Sequence, residues 1–198
     1  MIVIGVPVDK DHTIDVRTAA YCSAEAMRPG VTWGYVASRE AGVGRSTFAY
    51  YALKDPDVTH LYFMDFDVVP PNGALQKLLS HNIPIVAGIY PMNVNGEKAW
   101  SFKDGNNEIY GGWRRWGKMP DGLMKATAVG GSTLLVKREV FEKIERPWFK
   151  IVYKAIDEEG HAYDEGEDEY FSRIVREAGY EIMVDPKIIC KHFNYGEI

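Results

Sequence analysis

Cysteine is scarce in this chain. Only Cys22 and Cys190 occur, far apart and in no metal-binding spacing, which argues against a disulfide framework and fits a reducing cytoplasm. Basic charge is short as well: 23 Lys and Arg stand against 28 Asp and Glu, a net charge of −5. A general nucleic-acid binder with one basic face therefore has no support, although a local basic patch remains compatible. No apolar run is long enough to span a bilayer. The apolar start, Ile2–Val8, has no basic leader or cleavage site and reads as a first strand, not a signal. Internal repeats and low-complexity segments are absent.

What is present is ordinary globular composition, 46% hydrophobic and 26% charged, over 198 residues. That length makes one domain, or one domain with a large insertion, and buries a real core. Strand-like and helix-like segments alternate through the first ninety or so residues, which predicts an α/β sheet with parallel strands. Strands are expected at Ile2–Val8, Thr32–Ala37, Leu61–Met64 and Ile83–Ile89, and helices at Val16–Met27, Arg45–Leu53 and from about Pro71. From Pro91 to about Lys125 the rhythm breaks; a stretch of this kind is a functional loop, a hairpin insertion or a lid. Regular structure resumes with a strand at Thr133–Val136, a helix at Arg138–Ile144 and a strand near Trp148–Lys154. An acidic loop over Asp157–Glu169 precedes a helix carrying Tyr170, Phe171, Ile174 and Val175. A last strand at Glu181–Val184 comes before Ile188–Phe193. The chain thus changes character near residue 90, from an alternating part, 1–90, to a part that opens on the irregular stretch, 91–198.

The third strand runs into Asp65-Phe66-Asp67. Residues two apart on a strand share a face, so the two carboxylates are expected side by side, with Phe66 opposite. Such a pair repels itself unless a cation intervenes, and oxygen ligands with open positions suit magnesium or manganese. The same spacing at Asp9/Asp11 and Asp55/Asp57 falls in turn-like sequence, so the signal lies in the apolar run before Asp65.

Taken in order, these motifs resemble the GT-A glycosyltransferases, in particular glycosyltransferase family two. The residues carrying the resemblance are Val6-Pro7-Val8-Asp9 after the first strand, Gly42-Val-Gly44-Arg45-Ser46 at a helix start, and Asp65 with Asp67. Gly166-Glu167-Asp168, Gly179-Tyr180 and His192 complete the set. Serine stands at position 46 where the family has asparagine. The resemblance implies a single catalytic domain with a GT-A, Rossmann-like, mainly parallel sheet, in which 1–90 is the nucleotide-binding half and 91–198 the acceptor half, and transfer of a sugar from a nucleotide-diphosphate donor to an acceptor hydroxyl, by single displacement with inversion. It implies donor contacts from Pro7, Val8, Asp9, Arg45, Asp65 and Phe66, and a Mn2+ or Mg2+ ion held by Asp65, Asp67 and His192. It also makes Asp168 the general base, with Glu167 as the weaker candidate or an acceptor-orienting group. Asp164, Glu165 and Glu169 are then solvated.

In the irregular stretch, Trp100, Trp113 and Trp116 lie with Arg114, Arg115 and Lys118. Rings and cations in a loop either stack on an acceptor or pin the loop to the domain, and both readings stand. Gly131 either approaches the donor sugar or makes a tight turn. A UDP- or GDP-sugar is the expected donor. A glycan or small molecule is the expected acceptor, ranked above a modified nucleic-acid base. Two other readings stay open: a nucleotidyltransferase on a related fold, which wants a glycine-rich loop after strand one, and a non-catalytic nucleotide-sugar or carbohydrate-binding module.

Overall fold

A computed structural model describes residues 1–8, 13–106, 112–153 and 164–193. The opening apolar run forms β1 (Ile2–Val8), and α1 (Val16–Ala26) starts at Asp15, whose carboxylate caps it by accepting from the Arg17 amide at 2.8 Å. Next come β2 (Val31–Ala37), α2 (Ala41–Ala52), β3 (His60–Phe63), β4 (Val68–Val69), α3 (Ala74–Ser80) and β5 (Ile85–Ile89). The aperiodic stretch is built of short strands: β6 (Pro91–Val94), β7 (Glu97–Trp100), β8 (Phe102–Lys103), β9 (Arg114–Arg115), β10 (Met124–Ala126) and β11 (Ala128–Val129). After it run β12 (Leu134–Lys137), α4 (Arg138–Lys143), β13 (Val152–Tyr153), β14 (Asp164–Glu165), α5 (Glu167–Glu177), β15 (Ile182–Ile189) and β16 (Lys191–His192).

The central sheet has seven strands in the order β10-β15-β5-β12-β3-β1-β2. β1 pairs in parallel with β2 and β3, and β15 with β5; β12 is antiparallel to both its neighbours, and β10 to β15. The sheet is therefore mixed, with five strands in one direction. The reversal of β12 has a simple cause. No crossover helix follows β5, so the chain stays at the carboxyl end of the sheet, makes the hairpin β6–β7, and re-enters from that end.

Period-two alternation separates two cores. Leu61 and Phe63 face α2, α4 and α5; Tyr62 and Met64 face α1 and α3. On the first side, Phe171 of α5 stacks on Phe149 at 4.5 Å between centroids, and Phe149 meets Phe63 at 5.2 Å. Three rings, each with less than 2% exposed, are worth about 1.5–3 kcal/mol apiece and seat α5 on the sheet.

Several expected boundaries move. α2 begins at Ala41, four residues before the expected start, and takes in Gly42 and Gly44, which packing requires: a Cβ on Gly42 would lie 2.7 Å from the Glu167 Cβ, and one on Gly44 2.9 Å from the Pro7 Cβ. Arg45 therefore sits in the second turn of the helix, away from the unfavourable end of its dipole. β3 ends at Phe63, so Asp65-Phe66-Asp67 is a turn rather than a strand end. The last strand reaches Ile189, and the strand expected near Trp148 shrinks to Val152–Tyr153.

Candidate active site

A cleft of about 580 Å³ opens beyond the carboxyl ends of β1, β2 and β3, lined by Pro7, Val8, Ser38, Arg39, Ala41, Arg45, Asp65, Phe66, Asp67, Glu167 and His192. With β2 and β3 on opposite sides of β1, the loops diverge there, which is where open α/β sheets hold ligands. Pro7, Val8, Phe66 and both aspartates of the turn meet in it, so Phe66 shares the cleft with the carboxylates instead of facing away. Asp9 lies outside the described residues.

Arg45 is almost completely buried in the cleft wall, 3% exposed. One terminal nitrogen donates to Glu167 Oε1 at 2.6 Å and the other to Asp65 Oδ1, so both ends of the guanidinium are engaged by carboxylates. Below it lies Gly131, where a Cβ would come within 2.4 Å of the Arg45 Cζ. Gly131 is thus the seat of the arginine, and a side chain there would displace the guanidinium. Beyond it, Thr133, a β-branched residue, holds a left-handed φ of 55°, a strained conformation. Between them, the Ser132 hydroxyl accepts the Asp65 amide at 2.9 Å. Burial raises the pKa of Asp65, Arg45 lowers it, and Asp67 and Glu167 raise it again; the net direction is up.

The second aspartate has a different partner. β16 pairs with β4 and the Phe193 amide donates to the Asp67 carbonyl at 3.0 Å, so the tail segment is stitched to the turn. His192 Nε2 then stands 3.3 Å from Asp67 Oδ2. His192 Nδ1 lies 2.9 Å from the Pro91 carbonyl, which only accepts, so Nδ1 carries the proton. In the neutral ring, Nε2 therefore turns a lone pair toward a carboxylate, a contact that requires a proton or a cation between them. Burial lowers the His192 pKa, but the Asp67 carboxylate and the Pro91 carbonyl outweigh it and the direction is up. An imidazole oriented through its far nitrogen beside a carboxylate fits a divalent ion. The three-residue ligand set does not assemble: among the described residues no three His, Cys, Asp or Glu side chains form a metal-holding group. Asp65 is turned to Arg45, which leaves Asp67 and His192 as the pair.

α5 brings Glu167, Asp168 and Glu169 into its first turn. Asp168 Oδ1 accepts the Glu169 amide at 2.8 Å. Burial lifts its pKa to about 7, Glu167 adds to the rise and Arg45 opposes it. Two acids expected to be solvated are not. Glu165 is buried in a two-pronged pair with Arg173, at 2.8 and 3.0 Å, and Glu169 binds Lys103 at 2.8 Å.

Trp100, Trp113 and Trp116 are not among the residues that line the cleft. Trp100, 4% exposed, stacks on Trp116 at 3.9 Å, and its indole donates to the Gly117 carbonyl. Arg114 donates to Asp104 at 3.0 Å and to the Asn106 carbonyl at 2.8 Å. These three pin the hairpin, the second of the two readings open at the sequence level. Trp113 lies under the Lys103 ammonium, 4.9 Å from the ring centroid.

Sequence reasoning passed over Ser38, Arg39, Ala41 and Tyr90. The first three directly follow the carboxyl end of β2, a position that parallel strands make informative. Tyr90 follows β5, is buried, and meets His192 edge-on at 5.3 Å. Burial and the Asp65 and Asp168 carboxylates push its pKa well up, so it is a neutral hydroxyl.

No family model matches the chain, and no curated protein matches it. Its fold is similar to that of the crystal structure of A197 from STIV, with a TM-score of 0.68 at 19% identity over 97% of this chain and 85% of that one. That likeness concerns the fold alone. Looser likenesses reach a glycosyltransferase involved in the glycosylation of the major capsid of PBCV-1 (TM-score 0.40, 15% identity, 74% of this chain and 69% of that one). Another reaches the inositol-1-phosphate CTP transferase from T. maritima (0.45, 12%, 94% and 67%). Nothing about this chain follows from likeness at that level. Among the described residues no helix is long and apolar enough to cross a membrane.

Proposed function

We propose that the chain is a glycosyltransferase that moves a sugar from a nucleotide-diphosphate donor to an acceptor hydroxyl with inversion. The observation that carries this reading is the convergence, at the carboxyl ends of β1 and β3, of the Asp67–His192 pair with the acidic first turn of α5. Pro7, Val8 and Phe66 give the cleft an apolar wall suited to a nucleoside, and Arg39 supplies a cation at its mouth for phosphate or base. Asp67 and His192 would hold a Mn2+ or Mg2+ ion. Bound there, it supplies positive charge to the leaving diphosphate. Asp168 accepts the proton of the acceptor hydroxyl as that oxygen bonds to the anomeric carbon. The carbon–oxygen bond to the diphosphate breaks, its electron pair leaving with the phosphate. A carboxylate with a pKa of about 7 is suited to that transfer at neutral pH.

The test is a thermal-shift panel of UDP, GDP, CMP and dTDP sugars with and without manganese. A manganese-dependent rise in melting temperature with one base, followed by sugar transfer to an acceptor library, is the expected result. Stabilisation by nucleoside triphosphates alone would turn the reading toward nucleotidyl transfer. Binding without turnover on any acceptor would leave a nucleotide-sugar-binding module.

A further inference from the structure

We propose that Arg45 is a positioning residue for the transfer: a buried cation that fixes the Asp65 turn to the first turn of α5 and lends its charge to Asp168. The inference deepens the glycosyltransferase reading and rests on it for the meaning of Asp168, though not for its test. Arg45 comes from α2, Asp65 from the turn after β3, and Glu167 from the start of α5. This guanidinium joins these three elements above the α2–α5 glycine contact and the aromatic core beneath. Its placement is over-determined. Both terminal nitrogens are bonded to carboxylates, and the plane rests on the bare backbone of Gly131. Arg45 Nε is buried without a hydrogen-bond partner, which fits a group held for its charge and shape rather than for full hydrogen bonding.

The charges around Asp168 show what that cation is worth. Glu167 and Glu169 face it from its own helix, Arg45 from α2, and the Tyr90 hydroxyl from the residue after β5; Lys103 of β8 is held on Glu169. Two carboxylates and burial disfavour the charged form of Asp168. Arg45 is the cation that opposes them. A lysine cannot replace it fully, because a single ammonium does not bridge two carboxylates that a planar fork reaches at once. Arg45 thereby acts through Asp168 and Asp65 and need not touch the donor.

The experiment is a carbon-13 NMR titration of the aspartate carboxyls, with Asp168 assigned by its loss in Asp168→Asn. In Arg45→Gln the Asp168 midpoint should rise by about one unit or more, the scale on which a neighbouring opposite charge acts. Arg45→Lys should fall between that variant and the unchanged protein. Because Arg45→Gln leaves Asp65 and Glu167 facing each other and can compromise folding, Gly131→Ala is the second variant. It keeps the charge but forces the guanidinium off its seat, and it should raise the same midpoint by a smaller amount. An unchanged midpoint in folded Arg45→Gln, or in folded Gly131→Ala when the glutamine variant does not fold, overturns the proposal. The titration needs no donor, metal or turnover, so its outcome is independent of the glycosyltransferase reading. A wild-type protein that binds no nucleotide would overturn that reading and leave this result untouched.

Discussion

The cleft and the hairpin stretch both gather aromatic rings and charges, yet they use them in opposite ways. In the hairpin stretch, described rings and ions are matched locally: Trp100 on Trp116, Arg114 on Asp104, Arg115 on Glu97. In and beside the cleft, Asp65, Asp67, Glu167 and Asp168 gather around Arg45 and His192, with Arg39 at the mouth, so that among the described residues carboxylates outnumber the arginines. Like charges are not kept together without a compensating ion or a catalytic use. A balanced group of rings and ions is how a fold closes an insertion; an unbalanced one marks where chemistry is expected.

The comparison breaks first at Trp100. If its ring is a hairpin anchor, Trp100→Ala should cost about 3–5 kcal/mol of stability in denaturant unfolding. Its effect on donor affinity in the surviving folded fraction should be small. A variant of unchanged stability with a weakened acceptor KM would instead move the hairpin into the site. Next in size is Asp168→Asn, which should lower transfer on the order of 10²-fold while leaving nucleotide affinity within experimental error. An equal loss in both would make Asp168 structural. His192→Ala should weaken manganese affinity about ten-fold by calorimetry. Because its Nδ1–H donates to Pro91, it should also cost about 1 kcal/mol in the metal-free protein.

Smallest in amplitude is a pH effect. The folded-state pKa of Asp168 is raised from 3.8 to about 7, so the folded protein binds that proton more tightly than the unfolded chain. Its contribution to stability is then fully present below about pH 4 and is lost as pH rises through about 7. Asp168→Asn should flatten that part of the stability–pH curve, and on the proposed function the transfer rate of the unchanged protein should rise over the same interval as Asp168 ionises. A stability curve of the same slope in both proteins would remove Asp168 as the titrating group.

Much of this was legible in the residues. The βαβ rhythm before Ile89 follows from apolar runs and breakers, and the anchoring of the tail from Ile188 and Cys190, whereas the grouping of His192 with Asp67 comes from the resemblance and the turn after β3 reads in the sequence as a strand end. Sequence could not show that Gly42 and Gly44 serve helix packing, because the atoms they make room for, on Glu167 and Pro7, are brought up only by the fold. Nor could it separate the uses of the two aspartates: Arg45 lies 20 residues from Asp65, and His192 reaches Asp67 only through the β4–β16 pairing. The tryptophans stayed open between two readings for a related reason. Spacing and composition are the same for rings that stack on each other and for rings that wait for a ligand.

The most direct test of the central claim is calorimetry of UDP and GDP with manganese on the unchanged protein and on Asp67→Asn. The account predicts that at least one nucleotide binds the unchanged protein only when manganese is present, and that Asp67→Asn abolishes this binding without lowering the fraction folded. Binding of the same strength in excess chelator, or in Asp67→Asn with manganese, would contradict it.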